Sequence, residues 1–198
     1  MMSAKIKRDD THPFVYELVQ GEDLLWLGQP DASKLFAAYD LFYIPFSLMW
    51  GGFALFWNLG VWSSESPFFF RLWGLPFLAV GFYIIIGRFF YKWWRKRHTH
   101  YAVTNKRLFI LTTGLRYNLQ SFSLNDLPEL TKSVGRDGFG TITFTKAPGW
   151  SFGRRNQMNM SNSGMEFFGY ALPGFYDIPN ANDVYALIND LRFSSSNR

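Results

Sequence analysis

Residues 72–111, LWGLPFLAVGFYIIIGRFFYKWWRKRHTHYAVTNKRLFIL, decide how the rest of the chain is arranged. The stretch begins with an uncharged apolar run, continues with a basic and aromatic run, and ends in the apolar, β-branched composition typical of strands. An apolar helix flanked by Lys, Arg, Trp and Tyr is typical of a membrane span with its interfacial anchor. The stretch therefore predicts a transmembrane helix, its anchor, and the first strands of a more polar domain.

A second apolar stretch lies upstream. No charged residue occurs between Leu41 and Leu59, a length close to the roughly 20 residues that a helix needs to cross the hydrocarbon layer. The connection between the two apolar stretches contains Ser-Ser-Glu-Ser-Pro, which is typical of a turn. Two such stretches with a short polar connection predict a helical hairpin. Because Lys and Arg are concentrated outside the hairpin, both termini are expected to be cytoplasmic.

Two charged residues lie near the ends of these apolar stretches. Asp40 falls at the start of the first, where a carboxylate at the interface is favoured by the helix dipole. A charge at that position is also compatible with a functional acid inside the membrane. Arg88, near the end of the second stretch, is expected toward the same side of the bilayer. An Asp40–Arg88 pair that holds the hairpin together is therefore a third hypothesis.

The chain beyond His100 changes to short runs of strand-like residues separated by turns. In GFGTITFT (138–145), Ile142 and Phe144 alternate with threonines, as in a strand with one buried face. A stripe on the last helix brings together Ala181, Val184, Tyr185, Ile188 and Leu191. Strands are expected at 101–104, 108–112, after Pro128, at 138–145, weakly at 150–152 and at 165–170, with a loop at 156–164 and one strand or short amphipathic element at 24–27. This order predicts a small antiparallel β-barrel closed by a C-terminal helix.

Composition excludes several classes of function. The chain has no cysteine, so disulfides and Cys-ligated metals are ruled out. Its pI is about 9.5, but the positive charge is concentrated near the end of the second apolar stretch, and nucleic-acid binding is not expected. No phosphate-binding glycine loop, nucleophile elbow or carboxylate pair occurs. We therefore predict a non-catalytic protein with no catalytic, cofactor-binding or metal-binding residues and no small-molecule substrate.

The candidate interface residues share a basic or aromatic side chain. Those in the basic run are expected at the membrane boundary, where each cation contributes about 1 kcal/mol of attraction to anionic lipid. Two later pairs of cations are candidates for a second basic edge that faces lipid or an acidic partner. The full set is Arg88, Lys92, Trp93, Trp94, Arg95, Lys96, Arg97, Lys106, Arg107, Arg154 and Arg155.

Four stretches carry a resemblance to a known family. They are GEDLLWLGQP (21–30), YAVTNKRLFIL (101–111), the GFGTI strand (138–142), and a last helix introduced by Ile178-Pro179. Over roughly residues 21–192 the chain resembles bacterial membrane proteins that carry a pleckstrin-homology-like (PH-like) domain. The resemblance implies a PH-like β-barrel with a C-terminal helix on the cytoplasmic face of the bacterial inner membrane. Domains of this kind bind lipids, peptides or other proteins, so no chemistry is implied.

The sequence therefore predicts a membrane α-helical hairpin joined to an α+β PH-like domain. Its parts are an N-terminal cytoplasmic segment (1–34), a first transmembrane helix (35–59), an extracytoplasmic loop (60–71), a second transmembrane helix (72–91), a basic juxtamembrane segment (92–100), the PH-like domain (101–193) and a tail (194–198). Two functions remain open. The domain is either an interaction module for a protein partner or a second copy of itself, or a module that responds to anionic lipid in the bilayer.

Overall fold

The computed structural model describes residues 13–37, 40–144, 160–166 and 171–196. Helix α1 covers Asp40–Ser63, and α2 (Phe68–Phe82) continues through a π-helical turn (Tyr83–Gly87) into α3 (Arg88–Arg97). By length and composition, both α1 and the continuous helix Phe68–Arg97 are able to cross a membrane. The predicted pair of long apolar helices is confirmed, and the basic run proves to be the helical end of the second.

The helices begin and end at other residues than the sequence indicated. Helix α1 begins at Asp40, five residues after the expected start at Leu35. Before the helix, Oδ1 of Asp31 accepts hydrogen bonds from the backbone N–H and the hydroxyl of Ser33, which forms a local turn. A polar side chain bonded within its own turn competes with helix formation. The connection between the two helices shortens to residues 64–67.

The two helices pack closely through small residues. A Cβ on Gly81 would lie 3.3 Å from the Cα of Gly51, so the two helices approach closely at these two glycines. A second contact was not anticipated: the buried Asn58 donates hydrogen bonds to the carbonyls of Ala54 (2.8 Å) and Gly74 (3.1 Å). Any side chain at residue 74 would collide with Asn58. A polar hydrogen bond therefore joins the two apolar helices near the connection of the hairpin.

The strands form two antiparallel sheets. The first has the order β1-β2-β3-β4 and the second has the order β5-β6-β7. The elements are β1 (Leu24–Gly28), β2 (Thr99–Thr104), β3 (Arg107–Thr112), β4 (Asn118–Ser123), β5 (Thr131–Val134), β6 (Gly140–Thr143), β7 (Gly174–Ile178) and α4 (Ala181–Ser196). Within the described residues no strand of one sheet pairs with a strand of the other, so the expected β-barrel is not closed.

The main core lies between the two sheets and α4. It contains Tyr101 and Val103 from β2, Ile142 from β6, and Phe175 from β7, all with almost no exposure. The predicted stripe on α4 is confirmed, because Ala181, Val184 and Ile188 are buried there and Tyr185 and Leu191 pack against it. Each sheet thus buries one face in this core, and the helix covers the space that strand pairing leaves open.

The other face of the first sheet is covered by the segment that precedes β1. Phe14 packs on Phe109 with ring centroids 5.7 Å apart, and Ala102 and Leu111 complete this smaller cluster. Because successive side chains of a strand point to opposite faces, β2 and β3 are apolar on both. Residues 13–28 are therefore part of the polar domain, although the sequence placed them in a separate N-terminal segment.

Two strands were missed by sequence reasoning. Strand β4 (NLQSFS) is mostly exposed and lies at the edge of its sheet, so it lacks an apolar pattern. Strand β7 (GFYDI) is short and contains Asp177 at a positive φ of 48°. Residues 160–164 form turns, and Met165–Glu166 is not a strand as expected. The predictions for 150–152, 156–159 and 167–170 lie outside the described residues.

Candidate functional site

Helix α3 divides its charged residues between two faces. Arg88, Lys92 and Lys96 recur every fourth residue, lie on one face of the helix, and are buried. Arg97 is exposed on another face, and its guanidinium lies 4.5 Å from the ring centre of the half-buried Trp93. Three of the cations expected at an interface are thus placed inside the protein.

Arg88 pairs with Asp40 across the hairpin. Its Nη1 lies 2.8 Å from Oδ1 of Asp40, and the side chains are 0% and 5% exposed. The second carboxylate oxygen accepts a hydrogen bond from the backbone N–H of Ala37 at 2.7 Å. The Arg88 guanidinium also stacks over Phe89, 4.4 Å from the ring centre. The hypothesis of an Asp40–Arg88 pair is therefore confirmed, and Asp40 simultaneously lies in the first turn of α1.

The two buried lysines join α3 to the rest of the domain. Lys92 Nζ donates to the carbonyl of Leu35 at 2.7 Å. Lys96 Nζ donates to the carbonyls of Asp31 (3.0 Å) and Lys34, and to Oδ2 of Asp177 in β7 at 2.7 Å. An ammonium has three donors, and those of Lys96 have three recorded acceptors. The chain before α1 and the second sheet are thereby fixed to the same helix.

A loop of the domain packs against the helix at the π-helical turn. Gly164 has a φ of 79°, and a Cβ there would collide with the carbonyl of Arg88. The hydroxyl of Tyr83 donates to the carbonyl of Gly164 at 2.5 Å. Nearby, Arg95 Nη1 lies 2.7 Å from Oε1 of Glu166. Only glycine fits this conformation and this contact, so the loop is placed directly on the helix.

The expected second basic edge is not assembled by the described residues. Arg107 is paired with the buried Glu22 (Nη2–Oε2 2.6 Å, Nε–Oε1 3.1 Å), and Thr104 donates to the same carboxylate at 2.7 Å. Burial raises the pKa of Glu22, but the hydrogen bonds from Arg107 and Thr104 outweigh it, so the pKa is lowered overall. Lys106 is exposed and donates to the carbonyl of Gln20. Arg154 and Arg155 lie outside the described residues.

A more exposed group lies at the opposite end of β3. The turn 113–117 carries Leu115 (87% exposed), the exposed Arg116, and Tyr117 (61% exposed). Gly114 packs so closely on Trp94 of α3 that any side chain there would collide with the indole. At about 3.3 Å per residue, the length of β3 separates this turn from Lys106 by about 20 Å. The β3–β4 turn is therefore placed beside the end of the second apolar helix.

Sequence reasoning placed a turn after Thr112 but did not single it out as a candidate interface. A signal was present, because Leu-Arg-Tyr directly follows Thr-Gly and a turn seldom carries two large apolar side chains around a cation. The run was hidden by the much denser basic segment at 88–97.

Behind the turn lies a cleft of about 530 Å³ between α3, the first sheet and the chain that leads into β7. Its wall includes Trp94, Arg95, Arg116, Gln120, Pro173 and Tyr176. Among the described residues, four cations line it, namely Lys92, Arg95, Lys96 and Arg116, against the one carboxylate of Glu166. The cleft therefore combines aromatic walls with an excess of positive charge.

The described part of the chain contains no cluster of three or more His, Cys, Asp or Glu residues able to hold a metal ion. His98 and His100 take other partners: His98 Nδ1 lies 2.7 Å from the Trp94 carbonyl, and His100 Nδ1 lies 2.7 Å from Nε2 of Gln29. Comparison with known proteins gives no match to a family model, a curated protein or a solved structure. The function is therefore inferred from the geometry and the charge of the site.

Proposed function

We propose that this chain is a two-span protein of the bacterial inner membrane, and that its PH-like domain is a non-catalytic module that binds anionic lipid at the cytoplasmic face. Insertion is supported by the exposure of large apolar side chains along both long helices, such as Phe56 in α1 (76%) and Phe82 in α2 (66%). A helix that is apolar all round requires an apolar environment. The interhelical hydrogen bond of Asn58 is typical of helices that pack in lipid.

The orientation follows from the distribution of charge. The connection at 64–67 carries only Glu65, and Arg71 follows in α2, whereas the other end of the hairpin carries Lys34 and the cations of α3. Cationic residues are concentrated on the cytoplasmic side of membrane helices. Both termini, and with them the two-sheet domain, are therefore cytoplasmic in this proposal.

The position and the exposed side chains of the β3–β4 turn support anionic lipid as the ligand. It lies beside Trp94 at the end of the second span, and it exposes Leu115, Arg116 and Tyr117. Exposed apolar side chains next to a cation favour entry into the headgroup layer of an anionic bilayer. The contacts of Lys92, Lys96 and Gly164 hold the domain on the helix, so the turn is kept at a constant depth.

Because the chain has no cysteine, a single introduced cysteine can be labelled at one chosen position to test this proposal. Leu115→Cys and the matched control Lys106→Cys, at opposite ends of β3, are labelled with an environment-sensitive fluorophore in the full-length protein. The protein is placed in nanodiscs of phosphatidylcholine, with or without phosphatidylglycerol. We expect the label at residue 115 to be quenched by lipid-borne quenchers, more strongly with the anionic lipid, while the label at residue 106 stays in water. A label at residue 115 that remains aqueous in both bilayers would exclude the proposal.

A protein partner or a second copy is the alternative, and the edge of the first sheet favours it. Strand β4 pairs with β3 on one side, and within the described residues no strand pairs with its other side. An exposed edge accepts a further strand through main-chain hydrogen bonds. A cysteine in place of the exposed Ser121 would then cross-link two copies in the membrane. The same substitution at Lys106 serves as the control and should remain monomeric.

A further inference from the structure

We infer that the cleft behind the β3–β4 turn is a binding site for the phosphate-bearing headgroup of an anionic glycerophospholipid. This inference rests on the proposed function and deepens it, because the turn must lie at the bilayer for a lipid in the membrane to reach the cleft. The turn supplies general attraction to the surface. The cleft provides a defined binding site for the headgroup of one lipid molecule.

The size and the lining of the cleft fit such a ligand. A volume of about 530 Å³ lies within the range of about 300–1,000 Å³ that is typical of small-molecule sites. Aromatic and apolar walls are provided by Trp94, Pro173 and Tyr176, and amide groups by Asn118 and Gln120. An amphiphile with a charged group and a glycerol backbone matches this combination better than a purely polar or purely apolar compound.

The charges of the cleft select an anion. Arg116 reaches it from the turn, and Arg95 reaches it from α3. Arg95 is paired with Glu166, but a guanidinium has five N–H donors, so a carboxylate at Nη1 leaves donors for a second anion. Lys96 lines the same wall and is held by Asp177. Arginine binds phosphate oxygens through two parallel hydrogen bonds, which makes Arg95 and Arg116 the expected phosphate ligands.

The position of the cleft indicates that the phosphate belongs to a lipid. Tyr91 and Trp94, which lie near the end of the second span, line one side. Leu115, on the rim, is almost fully exposed. A lipid phosphate at the interface reaches this opening while its acyl chains stay in the bilayer. A free phosphate would make the same polar contacts and would leave the apolar rim unused.

The experiment measures thermal unfolding of the full-length protein in neutral detergent micelles with added soluble lipid. The probes are a short-chain phosphatidylglycerol, phosphatidylcholine of the same chain length, and free glycerol phosphate. The test variant is Arg116→Gln, and the matched control is Arg136→Gln, which removes a cation from another exposed turn that does not line the cleft. Both positions are exposed, so both variants should unfold at the parent temperature without ligand.

We expect phosphatidylglycerol to raise the melting temperature of the parent and of Arg136→Gln with increasing concentration. In Arg116→Gln the apparent affinity should fall about tenfold, as expected for the loss of a charge-assisted hydrogen bond. Phosphatidylcholine and glycerol phosphate should each give a much smaller shift. Equal shifts with both lipids, or equal responses of the two variants, would overturn the inference. An equal shift with glycerol phosphate would assign the cleft to free phosphate and overturn the lipid source.

The two proposals fail in different ways. Suppose that the label at residue 115 enters the bilayer but phosphatidylglycerol causes no specific shift in melting temperature. The inference about the cleft would then be wrong, and the proposed function would still hold. An aqueous label at residue 115 would remove the proposed function and with it the route by which a membrane lipid reaches the cleft.

Discussion

The two faces of α3 carry similar side chains and do different things. On the inner face, Arg88, Lys92 and Lys96 are buried and bonded to Asp40, Leu35 and Asp177 respectively. On the outer face, Arg97 is exposed and rests against Trp93. The sequence RFFYKWWRKR suggests one uniform basic anchor. The helical period instead divides these side chains between two faces. The cations of one face are buried and make contacts within the protein, and the cation of the other face is exposed.

The largest expected effect comes from breaking the buried pair at the start of the inner face. Arg88→Ala or Asp40→Ala leaves one charge buried without its partner, which should lower the free energy of unfolding by about 3–5 kcal/mol. The measurement is denaturant or thermal unfolding of the full-length protein in detergent. The double variant Asp40→Arg with Arg88→Asp should recover part of the loss. Recovery is expected to be incomplete, because an arginine at the N-terminus of α1 opposes the helix dipole. Parent-like stability of both single variants would show that the pair is unimportant.

A matched pair of substitutions sharpens the comparison directly. Lys96→Met keeps much of the side-chain stem but removes the buried cation that donates to Asp177 and to two backbone carbonyls, so about 2–3 kcal/mol of stability should be lost, although Asp177 keeps the hydrogen bond from Asn162. Arg97→Met, one residue further, should change stability by no more than about 0.5 kcal/mol. Both are measured by unfolding in the same detergent. Equal losses would mean that the two faces do not differ as described.

The smallest loss expected from breaking a buried ion pair concerns the pair at the far end of β3, and it depends on pH. The pKa of Glu22 is lowered below its usual 4.5, so the carboxylate contributes its full stability above about pH 4.5 and loses it as the pH falls through the folded-state value. Glu22→Gln should cost about 1–2 kcal/mol at pH 7, since the hydrogen bonds to charged partners weaken. The variant should also show a shallower loss of stability between pH 5 and 3 than the parent. Unfolding midpoints across that pH range provide the measurement, and parallel acid curves would exclude this role for Glu22.

The sequence predicted those features that produce a strong periodic pattern. The two long apolar helices, the strands around Tyr101 and Leu108, and the stripe Ala181, Val184 and Ile188 on α4 all combine apolar periodicity with clear flanking turns. The Asp40–Arg88 pair was accessible as a hypothesis because both charges interrupt apolar stretches at a similar depth. Such patterns are local, or depend on one simple geometric relation.

The remaining features depend on contacts between distant segments. Nothing in the run Leu24–Gly28 indicates that it pairs with β2, about 75 residues later, yet this pairing makes the N-terminal segment part of the domain. The close approach of Gly74 to Asn58, and of Gly164 to the carbonyl of Arg88, appears only once the helices and the loop are packed. The cleft has the same origin, because its walls come from α3, both sheets and the turn 113–117.

Because the domain depends on these contacts between distant segments, a shortened chain would lack part of its structure. A soluble fragment that begins at residue 99 would lack β1, the Phe14 cover over Phe109, and the helix to which the domain is bonded. Such a fragment would expose the apolar face of β2 and β3. Binding experiments therefore require the full-length chain.

Helix α3 joins the domain and the helical hairpin into one body with the β3–β4 turn at its end. The most direct test is the distance distribution between spin labels at Ser64→Cys, in the connection of the hairpin, and Lys106→Cys, at the far end of the domain, in lipid nanodiscs. We expect one narrow distribution of distances between the two labels, and Lys96→Met should broaden it. A broad or multiple distribution in the parent protein would contradict it, because the domain would then move on a flexible linker.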